Sequence, residues 1–122
     1  MTEQYIVLIR EPEWDPAAAT ESDWQSAMQA HGAFAEAVAA AAGAEILGGD
    51  ALQPTATAVS IVPAKDGKPA VFTDGPFTEL KEVVTGFYKL GVRDQAQARE
   101  LAALVPTGGW VELYPVMETN AM

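Results

Sequence analysis

The chain reads as one α+β domain, an antiparallel sheet with two helices on one face. Three features of its 122 residues predict this. Short runs rich in β-branched and aromatic residues alternate with turn residues. Two segments carry apolar residues at steps of three and four behind a capping side chain. The order of these elements, β-α-β-β-β-α-β with one hairpin arm counted as an insertion, suits helices packed against an antiparallel sheet.

The elements follow in order. Gln4 to Arg10, "QYIVLIR", predicts a strand buried on both faces, and "EPEWDPAAAT" a loop, with its two prolines and scattered acids. Thr20 offers an N-cap with Asp23 at capping-box spacing. Trp24, Ala27, Met28, His31, Phe34, Ala35, Val38, Ala41 and Ala42 then mark one face of a long helix that Gly43 terminates. "AEILGGDAL" predicts a strand bulged at Gly48 and Gly49. "TATAVSIV" predicts a third strand, Asp66-Gly67 a hairpin turn, and "VFT" the returning arm. Val83 to Val92 reads as a strand. Asp94 caps a second helix in which Ala98, Leu101, Ala102 and Val105 share a face. "WVELYPV" closes the sheet, and residues 118–122 read as a frayed tail.

This order is close to β-α-β-β-α-β, so the expected fold is ferredoxin-like with an added hairpin, a single domain over residues 1–122. Two helices cover one face only. A second copy of the sheet is the expected cover for the other, giving a homodimer.

Composition excludes several classes of function. Seventeen acidic residues against 7 basic ones give a net charge of −10, which disfavours nucleic acid and anionic membranes. No apolar run approaches a spanning helix, and the N-terminus lacks the basic start and apolar stretch of a signal peptide. With zero cysteines there is no disulfide, thiolate nucleophile or sulfur-ligated metal, and a cytoplasmic location is expected. One histidine rules out HExxH and multi-histidine zinc sites. No G-x-G-x-x-G, P-loop, G-x-S-x-G or EF-hand spacing occurs, so no cofactor and no metal are expected.

His31 lies on the apolar stripe of the first helix, where an imidazole needs a hydrogen bond or hydration. It reads either as a core histidine bonded to a carbonyl or as half of a His–carboxylate pair lining a pocket. Asp74 is the candidate partner; equally, an aspartate before Gly75-Pro76 forms an Asx-type turn. Gly75 and Pro76 would fix the path of the turn and aim Phe77. Lys81 and Glu82 follow at a spacing compatible with one helical turn from Pro76. Arg10 ends the first strand, where it could meet an anionic ligand or sit on the surface. The acidic loop from Glu11 to Asp15, with Trp14, is a candidate pocket rim.

"TDGPFTELKEVVTGFYKL" resembles the signature of the YCII-related family in its DGPF-motif branch. "AHGAFAEAV", "GGDAL", "GFYKL", "DQAQARELAALVP" and "VELYPV" come in the family's order, so the resemblance spans residues 4 to 117. It implies a ferredoxin-like fold that dimerises into an α/β barrel. It also implies a histidine–aspartate active site, which maps onto His31 and Asp74, with Lys81 and Glu82 matching the family's "KE".

Two functional expectations follow. The first is a cofactor-independent lyase- or isomerase-like enzyme acting on a small polar or aromatic molecule. His31 transfers the proton, Asp74 orients it, Phe77, Tyr88 and Trp110 form an apolar wall, and Lys81 holds an anionic group. The alternative is a non-catalytic ligand-binding or regulatory module whose acidic surface meets a basic protein partner. The resemblance points to extracytoplasmic-function sigma factors as such partners.

Overall fold

In a computed structural model, residues 2–75 and 82–118 are described. The element order is β1 (Glu3–Pro12), α1 (Glu21–Ala40), β2 (Glu45–Ala51), a short 3₁₀ turn (Thr55–Thr57), β3 (Val59–Val62), β4 (Val71–Asp74), β5 (Glu82–Val92), α2 (Gln95–Ala102) and β6 (Trp110–Pro115). Four strands form one antiparallel sheet in the order β2-β5-β1-β6, with both helices on one side. This is an α+β architecture consistent with the ferredoxin-like plait. Strands β3 and β4 pair with each other as a separate two-stranded sheet.

The alternation of β1 sets the layers. Tyr5, Val7 and Ile9 are buried, and the residues between them are half-exposed. The strand is therefore enclosed on its helix-facing side alone, not on both as its composition suggests. Cross-strand register puts Tyr5 opposite Leu90, Val7 opposite Tyr88 and Ile9 opposite Gly86. Because directly opposed residues share a face, these six define the inner surface of the sheet. Leu90, Val92, Phe34, Val38, Ala98, Leu101, Ala102 and Val105 complete the core.

Local chemistry starts and stops the elements as the sequence leads one to expect. The Thr20 hydroxyl accepts from the Asp23 N–H at 3.1 Å, and the Asp23 carboxylate accepts from the Thr20 N–H at 2.8 Å, a complete capping box. Asp94 caps α2 through the Gln97 N–H at 2.9 Å. The buried Gln97 side chain then ties that helix to the Arg93 N–H and the Ala42 carbonyl, each at 2.8 Å. In β2 the register shifts between Ile46 and Gly48, so Leu47 is the extra residue and the bulge lies just before the Gly48-Gly49 pair rather than at the glycines, which are both paired with β5. Asp66 and Gly67 adopt positive φ of 50° and 76°, the geometry of a two-residue hairpin turn. One segment differs: Thr55–Thr57 is a 3₁₀ turn, so β3 begins only at Val59. Pro54 starts that turn, and the Thr55 N–H and hydroxyl are both taken by Glu13.

Helix α1 is packed unequally along its length. Phe34 and Val38 in its second half are at most 2% exposed, whereas Trp24 and Met28 in its first half are 46% and 73% exposed. The apolar stripe is continuous in sequence, so the cause lies in the sheet beneath. Below Phe34 and Val38 the inner positions are Leu90, Val92 and Ile46; toward the other end they are Gly86, Gly49 and Ala51.

Truncation should report this gradient. Leu90→Ala, at a fully buried site, should cost about 2–5 kcal/mol in chemical denaturation. Met28→Ala should stay within about 0.5 kcal/mol of the parent protein.

Candidate functional site

The small residues at one end of the inner face leave a cavity of about 470 Å³ beneath the first half of α1. Its roof is Asp23, Trp24, Ala27, Met28 and His31 from the helix. Its floor is Ile9, Gly86 and Tyr88, with Gly49 to Ala51 of β2 along one side. Glu11, Trp14 and Ala19, from the end of β1 and the following loop, close the mouth. Trp14 and Trp24 meet edge to face with centroids 4.7 Å apart, an arrangement that joins loop to helix. Glu13 next to Trp14 holds the loop to the 3₁₀ turn through the Thr55 N–H at 2.6 Å.

His31 is the chemical centre of this cavity. Its Nδ1 lies 2.6 Å from the Tyr88 hydroxyl, with the rings tilted and their centroids 5.8 Å apart. Tyr88 also packs on Phe34, centroids 4.8 Å apart, so the core of the domain holds the phenol in place. Burial raises the Tyr88 pKa above its ordinary value, which keeps the hydroxyl neutral. Two glycines make room for this arrangement. A Cβ on Gly49 would come within 2.6 Å of the Phe87 carbonyl and 2.9 Å of the Tyr88 ring, and one on Gly86 within 2.9 Å of the Asp50 carbonyl.

A second polar group comes from a bulge. Between Ile9 and Arg10 the β1/β5 register skips a residue, so Thr85 has no partner opposite it. Its hydroxyl donates to Glu11 Oε2 at 2.9 Å, and both residues line the cavity. Glu11 and Trp14 thus belong to the site, as the acidic-loop reading allowed; Thr85 was missed, since only the register shift brings it to this face.

The other expected site residues lie elsewhere or outside the described segments. Asp74 is exposed at the end of β4, opposite Val59 and outside the cavity lining; among the described residues the hydrogen-bond partner of His31 is Tyr88. The reason is local. Gly75, at φ 83°, donates to the Ala58 carbonyl at 2.7 Å and accepts from the Ser60 hydroxyl at 2.6 Å, so the turn is tied to β3. Arg10 points to the outer face of the sheet and is ion-paired with Glu112, whose pKa that contact lowers. It is therefore not a ligand-binding residue of this cavity. Glu82 opens β5 opposite Pro12, in strand rather than helical turn, and Trp110 is half-exposed opposite Arg10 on the outer face. Pro76, Phe77 and Lys81 lie outside the described residues. Among the described residues no group of three His, Cys, Asp or Glu side chains could hold a metal ion, and no helix is long and apolar enough to cross a membrane.

Fold and site together define a small α+β domain with an aromatic-lined cavity and a histidine–tyrosine pair inside it. The chain belongs to the YCII-related domain family, whose model matches residues 5–120. No curated protein matches it.

The single histidine makes the pairing measurable. Tyr88→Phe should shift the balance of His31 tautomers in long-range ¹H–¹⁵N NMR spectra, whereas Asp74→Asn should leave them unchanged. A shift in the Asp74 variant with none in the Tyr88 variant would contradict the geometry described above.

Proposed function

We propose that the cavity binds a small polar or aromatic molecule and that His31 transfers a proton to or from it. The observation that carries this reading is the His31–Tyr88 hydrogen bond inside an apolar cavity. If the Tyr88 hydroxyl donates to Nδ1, Nε2 carries the ring proton and faces a ligand as an acid. If Nδ1–H donates to the Tyr88 oxygen, the Nε2 lone pair is free as a base. With Nδ1–H donated to the Tyr88 oxygen, Nε2 takes the ligand's proton to give an imidazolium and returns it from Nε2 in the second half, so one ring nitrogen serves both halves of a lyase- or isomerase-like proton transfer. In this reading Tyr88 has the orienting role that the family resemblance implies for Asp74.

A ligand-binding module without turnover is the second reading, favoured by the largely apolar lining and the net charge of −10. Such a charge suits a basic face on a regulatory protein, for example an extracytoplasmic-function sigma factor. The two readings separate in a screen of hydroxylated aromatic and carbonyl compounds in D₂O, monitored by NMR for deuterium incorporation. Enzyme action predicts exchange that falls by about 10²–10⁴-fold in His31→Gln. Binding without exchange in the parent protein, or exchange that survives the substitution, would leave only the module.

A second copy of the chain is the proposed cover for the outer face of the sheet. Ile6, Leu8 and Phe87 there are only half-buried, and Trp110 and Tyr114 are each 50% exposed. Sedimentation equilibrium should give twice the chain mass of 12.9 kDa, and Leu8→Lys should return it to the monomer. A monomeric parent protein at micromolar concentration would remove the proposal.

A further inference from the structure

We infer that the preferred ligand of the cavity is an organic cation, an amine carried on an aromatic or branched apolar body. The inference rests on the small-molecule reading above and adds the sign of the ligand's charge. Two kinds of group meet in the site. Trp14, Trp24 and Tyr88 supply aromatic surface, and Glu11 and Asp23 supply carboxylates at the mouth and roof. Among the described lining residues there is no lysine or arginine. Arg10, the basic residue next to Glu11, is turned to the opposite face and neutralised by Glu112.

Asp50 also lines the cavity, but it alternates with the inward Gly49 and Ala51 opposite Phe87; Glu11 and Asp23 differ in what they have left to offer. Asp23 already accepts from the Thr20 N–H in the capping box, and those hydrogen bonds hold its pKa below the ordinary value, so it is a fixed negative charge. Glu11 receives Thr85 on Oε2, and Oε1 has no hydrogen-bond partner among the described residues. An ammonium group could bond to that oxygen while its apolar body lies against the tryptophans. A cation is drawn both to carboxylates and to aromatic faces, so the two contributions act in the same direction. A carboxylate ligand of the same shape would meet only like charge at the mouth. His31 would then lie within the same cavity as the bound amine, where its free nitrogen can exchange a proton.

Three probes of one shape and different charge test this: 2-phenylethylamine, 2-phenylethanol and 3-phenylpropionate. Binding is followed by tryptophan fluorescence and by the His31 ring signals of the full chain at neutral pH. The expected result is that the amine binds at least about fivefold more tightly than the alcohol, with the carboxylate weakest. Glu11→Gln should cut the amine's advantage by about two- to threefold, the rest being kept by Asp23 and the aromatic faces, and should change the affinity for the alcohol by less than about 1.5-fold. If the alcohol or the carboxylate binds as well as the amine, the cation preference is overturned and the small-molecule reading stands. If none of the three perturbs either signal, both fall.

Discussion

Everything in this domain rests on the antiparallel pairing of β1 with β5. That pairing fixes which side of each strand meets the helices, and on that side it lines up Tyr5, Val7 and Ile9 with Leu90, Tyr88 and Gly86. The row is graded in size. Where its members are large, Phe34 and Val38 of α1 and the apolar face of α2 close over them and expel water. Where they shrink to glycine, the same helix continues with nothing large beneath it, and the cavity results. Core and site are therefore two ends of one packing surface. Tyr88 stands at the boundary, with its ring on Phe34 and its hydroxyl on His31.

Much of the fold was legible because its signals are local. A capping box, an Asp-Gly turn and the apolar face of Ala98, Leu101 and Ala102 on α2 each depend on residues close in sequence, although α2 stops at Ala102 and leaves Val105 beyond it. The exposure of Trp24 and Met28 was not legible, because a helix carries no record of what lies under its stripe. That information sits in Gly49 and Gly86, far away in the chain, and becomes visible only when register brings them under α1. The 3₁₀ turn at Thr55–Thr57 is hidden in the sequence for a similar reason: Glu13 satisfies Thr55 from across the chain.

The site was legible in its residue types and less so in its pairings. His31 stood out as an imidazole on an apolar stripe, and the structure satisfies it with a phenol rather than with the carbonyl or carboxylate first considered. The sequence marks Tyr88 only as wall, since a tyrosine in a strand gives no sign of where its hydroxyl ends. Asp74 in an Asp-Gly sequence had two local explanations, and the hydrogen bonds of Gly75 to Ala58 and Ser60 favour the turn. Arg10 follows strict alternation from the buried Ile9, which was enough to place it on the outer face.

The bulge at Thr85 has an effect that reaches past its own hydrogen bond. Side chains alternate with a period of two, so one extra residue changes the parity of every position that precedes it in β5. Counted back from Gly86 without the extra residue, Val84 and Glu82 would face the helices; with it, they pair with Arg10 and Pro12 and face away. A single insertion thus turns Glu82 out, while Glu11 stays inside by the alternation of β1 alone. The number of carboxylates facing the helices at this end is in this sense a property of strand arithmetic: the parity of β5 decides whether Glu82 joins Glu11 or faces away from it.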